Sequence, residues 1–318
     1  MKYYLGFDIG GTKCAVVLSE KSGTSIKDKI RFDTCVERGW QKIVDELILS
    51  AKEILARNGI ASKDVLACGV SCGGPLNSDT GVIMRPPNLP DWDNVPLADI
   101  VKNELGIPCK LRNDADACAL AEWQFGAGKN TKNMIFLTFG TGMGAGLILD
   151  GKLYSGTCGT AGEVGHIRLD SDGPVAYGKA GSFEGFCSGA GIAAMAKKML
   201  SIYSGSTIIP RDNVNAKTIA DAAIKGDKLA NAIYRRCGEK LGLGISILID
   251  ILNPEKVVIG SIYQRSGHLL AESMNETINK EALEISAQCC KIVPAMLGDE
   301  IGDFAAIGVA KDFAEAEL

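Results

Sequence analysis

The sequence predicts an α/β protein in two lobes, and three observations carry that reading. Residues 3–18, YYLGFDIGGTKCAVVL, run as an apolar strand, a Gly/Thr turn and a second, valine-rich strand. Residues 134–149, MIFLTFGTGMGAGLIL, repeat the pattern, and overlaying Gly11 on Gly142 sets the two hairpins 131 positions apart, a weak internal duplication. Strand-like and helical segments alternate behind each hairpin, and 318 residues leave room for two domain-sized cores.

Behind the first hairpin, Gln41–Arg57 places Ile43, Val44, Leu47, Ile48, Ala51, Ile54 and Leu55 at helical spacing, and Val65–Ser71 reads as a buried strand. The segment Gly73–Pro96 holds five prolines and is expected to be loop, a length usually kept for function. Pro108–Arg112 suits a short strand, and Ala115–Phe125 an alanine-rich helix capped by Asn113 or Asp114. In the second half, a glycine-rich stretch from Gly151 to Gly191 follows the hairpin. Helices are expected over Gly189–Leu200, Thr218–Lys225 and Lys228–Leu252, then a strand at Lys256–Ile259 and helix signals to the end.

Composition narrows the function classes. With 46% apolar and 23% charged residues the chain is a globular protein and not a disordered one. A formal charge of −4, a pI near 5.4 and no dense Lys/Arg run argue against nucleic acid or an anionic membrane as the main partner and point to a small ligand. The start, MKYYLGFD, reaches an acid before an apolar leader could form, and the longest apolar stretch, Leu241–Leu252, contains Asp250 and is too short for a bilayer. Eleven scattered cysteines without a CxxC pattern fit reduced thiols in a cytoplasmic protein, most of them in the core.

Four constellations could carry chemistry. Asp8-Ile9-Gly10-Gly11-Thr12-Lys13 is either a tight hairpin or a turn whose N–H groups, Thr12 and Lys13 face a phosphate, with Asp8 placed to hold a divalent ion against it. Gly140–Gly146 leads into a strand and not a helix, so it is no dinucleotide fingerprint, and GxxxxGK[ST] does not occur. Asn113-Asp114, where a strand meets a helix, is either a plain cap or a carboxylate that the helix dipole keeps ionised, ready to take a hydroxyl proton. Gly162-Glu163-Val164-Gly165-His166 sets an acid and a histidine three residues apart between glycines, with a core histidine as the alternative, and Phe183-Glu184-Gly185 is weaker alone.

Together these segments resemble the ROK family of sugar kinases, within the hexokinase and actin superfamily. Asp8–Lys13 is similar to its DxGGTK phosphate motif, Asn113–Glu122 to its NDANAAALAE helix, and Phe139–Gly146 to its second phosphate motif. Gly159–His166 resembles GxxGExGH, and Gly178–Gly189 resembles GxxGCxExxxSG. The resemblance runs from near residue 4 to near residue 310. It implies a duplicated, two-lobed actin-like ATPase (ribonuclease H-like) fold with an interlobe cleft where ATP and sugar meet. The N-terminal lobe would be residues 1–116 plus 300–318 and the C-terminal lobe 117–299. The implied activity is glucokinase-like transfer from ATP to a hexose or N-acetylhexosamine. Asp114 would be the general base, with Asn113, Glu163, His166, Glu184, Gly74 and Asn88 on the sugar. Asp8 would position Mg²⁺, while Gly10, Gly11, Thr12, Lys13, Gly140, Thr141, Gly142 and Gly260 would serve ATP. Cofactors would be ATP and Mg²⁺, partners small molecules without nucleic acid or membrane, and the assembly a homodimer.

Three departures stand against the family pattern. Members usually bind zinc through the GExGH histidine and three cysteines, but those positions here are Val175, Tyr177 and Ser182, so no structural zinc is expected and the loop would be held by packing around Tyr177 and Phe183. Asp116 stands where Asn is usual, and the adenosine-site glycines shrink to Gly260-Ser261-Ile262. The alternatives are a sugar-responsive repressor, for which no room for a DNA-binding segment is expected ahead of Asp8, and a non-catalytic sugar-binding protein.

Overall fold

In the computed structural model, which describes residues 1–317, the chain divides into two compact units: residues 1–130, 155–159 and 299 onward, and residues 131–154 with 160–298. The first unit contains β1 (Tyr3–Ile9), β2 (Lys13–Glu20), β3 (Ile26–Asp33), α1 (Trp40–Arg57), β4 (Val65–Cys72), the short ribbon β5 (Leu76–Asn77) and β6 (Val82–Ile83), α2 (Leu97–Leu105), β7 (Cys109–Asn113) and α3 (Asp114–Gln124). The second contains β8 (Met134–Leu137), β9 (Ala145–Leu149), β10 (Lys152–Leu153), the ribbon β11 (Val175–Ala176) and β12 (Lys179–Ala180), α4 (Phe183–Phe186), α5 (Gly189–Ile202), α6 (Ala216–Ile224), α7 (Lys228–Leu252), β13 (Lys256–Ile259), α8 (Ile262–Glu281), α9 (Glu284–Cys289) and β14 (Lys291–Pro294). The chain then returns to the first unit as α10 (Ile301–Ala316).

The duplication read from the two hairpins extends to whole sheets. One has the order β3-β2-β1-β4-β7 and the other β10-β9-β8-β13-β14. In each, the first three strands are antiparallel neighbours, and the last two join in parallel beside the hairpin's first strand. Parallel neighbours need crossover helices, which is why the strands alternate with helices in sequence.

Each sheet has its own core. In the first unit, α1 packs on β2 and buries Ile43, Val44, Leu47, Ile48, Ala51, Ile54 and Leu55 in a core shared with β1 and β4, each large aliphatic contributing about 1.5–3 kcal/mol by leaving water. The helix α10 packs on β1, β4 and α3. In the second unit, α5, α6, α7 and α8 share a core with β8, β9 and β13.

Some expectations need adjustment. A boundary at residue 116 would cut through α3, whereas that helix stays whole in the first unit because it packs on α10, and the division falls near residue 130. The proline-rich loop contains the ribbon β5–β6. Of the cysteines only Cys14, Cys68, Cys72, Cys187 and Cys237 are buried, so the core holds fewer than half.

Candidate functional site

In the first unit the turn between β1 and β2 is a closed loop: the Gly10 N–H donates to the Lys13 carbonyl at 3.0 Å. Thr34, just past β3, pins it by donating its hydroxyl to the Gly10 carbonyl at 2.6 Å, while its own N–H donates to the Thr12 carbonyl at 2.9 Å. Thr12 and Lys13 are exposed. Gly11 must be glycine, because a Cβ there would lie 2.7 Å from the Asn88 carbonyl oxygen. Asn88 also lies against Gly73, whose added Cβ would sit 3.1 Å from Oδ1, so the fold brings the proline-rich loop, the Gly73-Gly74 turn and the β1–β2 turn together.

Asp8, near the end of β1, has its carboxyl pushed up to about 6, first by burial, then by the charges of Asp303 and Asp114, against the opposing pull of Lys29 and Arg31. The Lys29 ammonium pairs with the buried Asp303 carboxylate at 2.5 Å.

At the junction of β7 and α3, Asn113 is the helix cap, its Oδ1 accepting the Asp116 N–H at 2.8 Å, and Asp114 is the first helical residue, its Oδ1 accepting the Ala115 N–H at 2.9 Å. The cap reading therefore holds for Asn113 and leaves Asp114 open to solvent. The helix dipole was expected to leave Asp114 an ordinary carboxylate, yet, although its outer side meets solvent, the protein crowded on its other side raises its carboxyl, outweighing the backbone donors that favour the charge. The extra acid, Asp116, is buried and accepts from the Ser155 hydroxyl at 3.1 Å.

In the second unit the glycine turn between β8 and β9 is tied on several sides. The Gly140 N–H donates to the Gly142 carbonyl at 3.1 Å, and the Gly144 N–H to the Thr138 hydroxyl at 2.9 Å. The Gly140 carbonyl accepts from the first residue of α5, Gly189, at 2.8 Å. A Cβ on Gly140 would face the Ser261 hydroxyl at 3.5 Å, so the turn lies beside Gly260-Ser261 at the end of β13. Ser261 itself has φ of 51°, in the region that favours glycine.

Glu163 precedes and His166 ends a single 3₁₀ turn, Val164–His166, and both are exposed, which removes the core-histidine alternative. Gly162 has φ of 91°, and its carbonyl accepts the Ala145 N–H at 2.8 Å, so the loop is docked on β9. The His166 ring stacks on Tyr177 with centroids 3.6 Å apart, and the Tyr177 hydroxyl donates to Glu184 Oε2 at 2.6 Å. That oxygen also accepts the Met143 N–H at 2.9 Å.

The positions where thiolates would be needed do not fit zinc. Val175 has no donor, the Ser182 hydroxyl is buried and accepts the Gly185 N–H at 3.1 Å as the cap of α4, and Tyr177 is engaged as described. The sequence reading missed Thr34, the Lys29–Asp303 pair and the bridging role of Tyr177.

The sequence profile of the ROK family matches residues 4–312, and the chain belongs to that family. Its paired sheets are those of the duplicated, actin-like ATPase fold found in ROK sugar kinases. The chain is 31% identical to the glucokinase of Halalkalibacterium halodurans over 95% of its own length and 92% of the relative's. It is 30% identical to the xylose repressor of Caldicellulosiruptor bescii over 93% of this chain and 74% of the repressor. A ROK family glucokinase from Streptomyces griseus, solved in complex with glucose and AMPPNP, superimposes with a TM-score of 0.72 at 29% identity, covering 97% of this chain and 99% of the other. Among the described residues no helix is long and apolar enough to cross a membrane.

Proposed function

We propose that this chain is an ATP-dependent sugar kinase, transferring the ATP γ-phosphate to a hydroxyl of a hexose or N-acetylhexosamine, with glucose the first substrate to try. One observation carries the reading: the Asn113 cap presents Asp114 to solvent at the start of α3, near enough to Asp8 that the two charges interact. Asp114 takes the proton from the attacking hydroxyl as the new O–P bond forms and ADP leaves. A carboxyl raised above the usual range is a stronger base for that transfer than an ordinary one. Asn113, Glu163, His166, Glu184, Asn88 and Gly74 are assigned to the remaining hydroxyls.

The first glycine turn suits a phosphate, since Gly11 keeps open a space that any side chain would fill, and the crowding of Asp8, Asp303 and Asp114 is what a divalent cation would relieve. Asp8 would position Mg²⁺ through water or the phosphates, and the ion when bound would neutralise charge on the phosphates. Gly10, Thr12, Lys13, Gly140, Thr141, Gly142 and Gly260 complete the nucleotide contacts in this reading, and a homodimer in the cytoplasm is its expected setting.

The similarity to a xylose repressor supports a second reading, a sugar-responsive regulator without catalysis. A coupled assay for ADP release across hexoses and N-acetylhexosamines separates the two. The kinase reading expects sugar-dependent ADP production, and sugar binding with no ADP above the sugar-free rate would support the regulator.

A further inference from the structure

Resting on the sugar-kinase reading, we propose that Tyr177 is a positioning residue that fixes the Glu184 carboxylate and the His166 ring against the second glycine turn. The first observation is its backbone. Tyr177 and Gly178 form the two-residue connection of the β11–β12 ribbon, with Ala176 paired to Lys179, and their φ values are 53° and 69°. Such a turn favours Asn or Asp followed by Gly, and a bulky residue with positive φ is strained there. Strain of this kind persists where the surroundings enforce it and often marks a functional constraint. Burial does not supply the compensation, since Tyr177 is 45% exposed.

Its side-chain contacts do. The ring lies over the His166 imidazole at 3.6 Å with 22° between planes, and the hydroxyl donates to Glu184 Oε2 at 2.6 Å. The same oxygen takes the Met143 N–H at 2.9 Å, and a Cβ on Gly142 would sit 2.8 Å from it. Two donors on one oxygen fix the plane of the carboxylate, leaving Oε1 for a sugar hydroxyl. The phenol is itself raised above its ordinary range, first because its hydroxyl end is drawn out of water although the ring stays half exposed, and then by its bond to Glu184 and the charge of Glu163, so it stays a donor. Tyr177 thereby ties two proposed sugar residues to the backbone of the glycine turn.

The test uses Tyr177→Phe, which keeps the ring and removes the donor, and Tyr177→Asn, which removes both but suits the turn. Amide exchange at Met143 by NMR is measured in each, with melting temperature and KM and kcat for D-glucose and other hexoses. The proposal expects Met143 to exchange several-fold faster in both variants, KM for the sugar to rise about 5- to 50-fold with kcat changed less than about 3-fold, and Tyr177→Asn to melt no lower than wild type. Unchanged Met143 exchange and KM in Tyr177→Phe would overturn it, as would a lowered melting temperature in Tyr177→Asn with Tyr177→Phe fully wild type, which is the pattern of a purely structural residue. If the wild type accepts no sugar, the kinase reading fails while Met143 exchange still decides whether Tyr177 holds Glu184.

Discussion

Asp8 lies near the end of β1 and Asp114 just past the end of β7, two strands separated in the sheet by β4, and their surroundings differ. For Asp114, replacement by Asn removes the proton acceptor with almost no change in volume. Phosphorylation should fall by about 10²- to 10⁴-fold with sugar affinity largely kept, and more than a tenth of wild-type kcat would reduce Asp114 to a helix residue. The raised carboxyl of Asp114 also places the acid limb of the wild-type kcat/KM profile above the pH near 4 where an ordinary Asp titrates. For Asp8 the sign runs through stability. Its folded-state value of about 6 exceeds the roughly 3.9 of an unfolded Asp, so the folded protein binds the proton more tightly and loses stability as pH rises from 4 to 6. Asp8→Asn should therefore melt higher than wild type at pH 7.5 without nucleotide, with the difference closing near pH 4. An equal difference at both pH values would show that Asp8 is not raised. Of the residues in these arguments, Asp8, Asn113 and Asp114 were legible because they sit inside short motifs. Thr34, Asp303 and Tyr177 were not, since each meets its partner only after the chain has folded.

At the level of elements, strongly periodic segments declared themselves and edge elements did not. The helix Lys228–Leu252 and the strand Lys256–Ile259 were read with their observed bounds. The edge strand β3 passed unread because only one face is apolar and Asp28 interrupts that face, a position satisfied by Arg57 at 2.5 and 2.7 Å. An edge strand of the second sheet, β14, is four residues ending in proline. The helix α2 did carry a signal, with Leu97, Val101 and Leu105 four apart behind Pro96, but the preceding prolines masked it. The glycine-rich stretch is the element where sequence and geometry agree most usefully. Gly162→Ala would force a Cβ into the Ala145 carbonyl at a φ of 91°. It should cost about 1–3 kcal/mol and lower the melting temperature by several degrees, together with sugar binding through the displaced Glu163 and His166. A variant melting within one degree of wild type would show that this loop is not docked on β9.

For the molecule as a whole, a duplication was legible from the paired hairpins, whereas the strand order of each sheet and the placing of α3 with α10 in the first unit were not, because both are set by packing between segments far apart in sequence that no local pattern announces. In the kinase reading sugar and nucleotide must be held together for phosphoryl transfer. Sugar should therefore tighten a non-hydrolysable ATP analogue with Mg²⁺ by a coupling of about 1–3 kcal/mol, and calorimetry with equal affinities in the presence and absence of sugar would count against it. Elemental analysis should find no stoichiometric zinc, as Val175, Tyr177 and Ser182 supply no thiolate, and one zinc per chain would contradict that. The most direct measurement is product formation itself: wild type and Asp114→Asn, each shown to bind the same sugar from a panel of hexoses and N-acetylhexosamines, are incubated with Mg-ATP and assayed for sugar phosphate by mass spectrometry. A sugar kinase with Asp114 as its base forms a sugar monophosphate together with ADP in the wild type and almost none in the variant, whereas a wild type that binds sugar and forms no phosphate ester would rule that activity out.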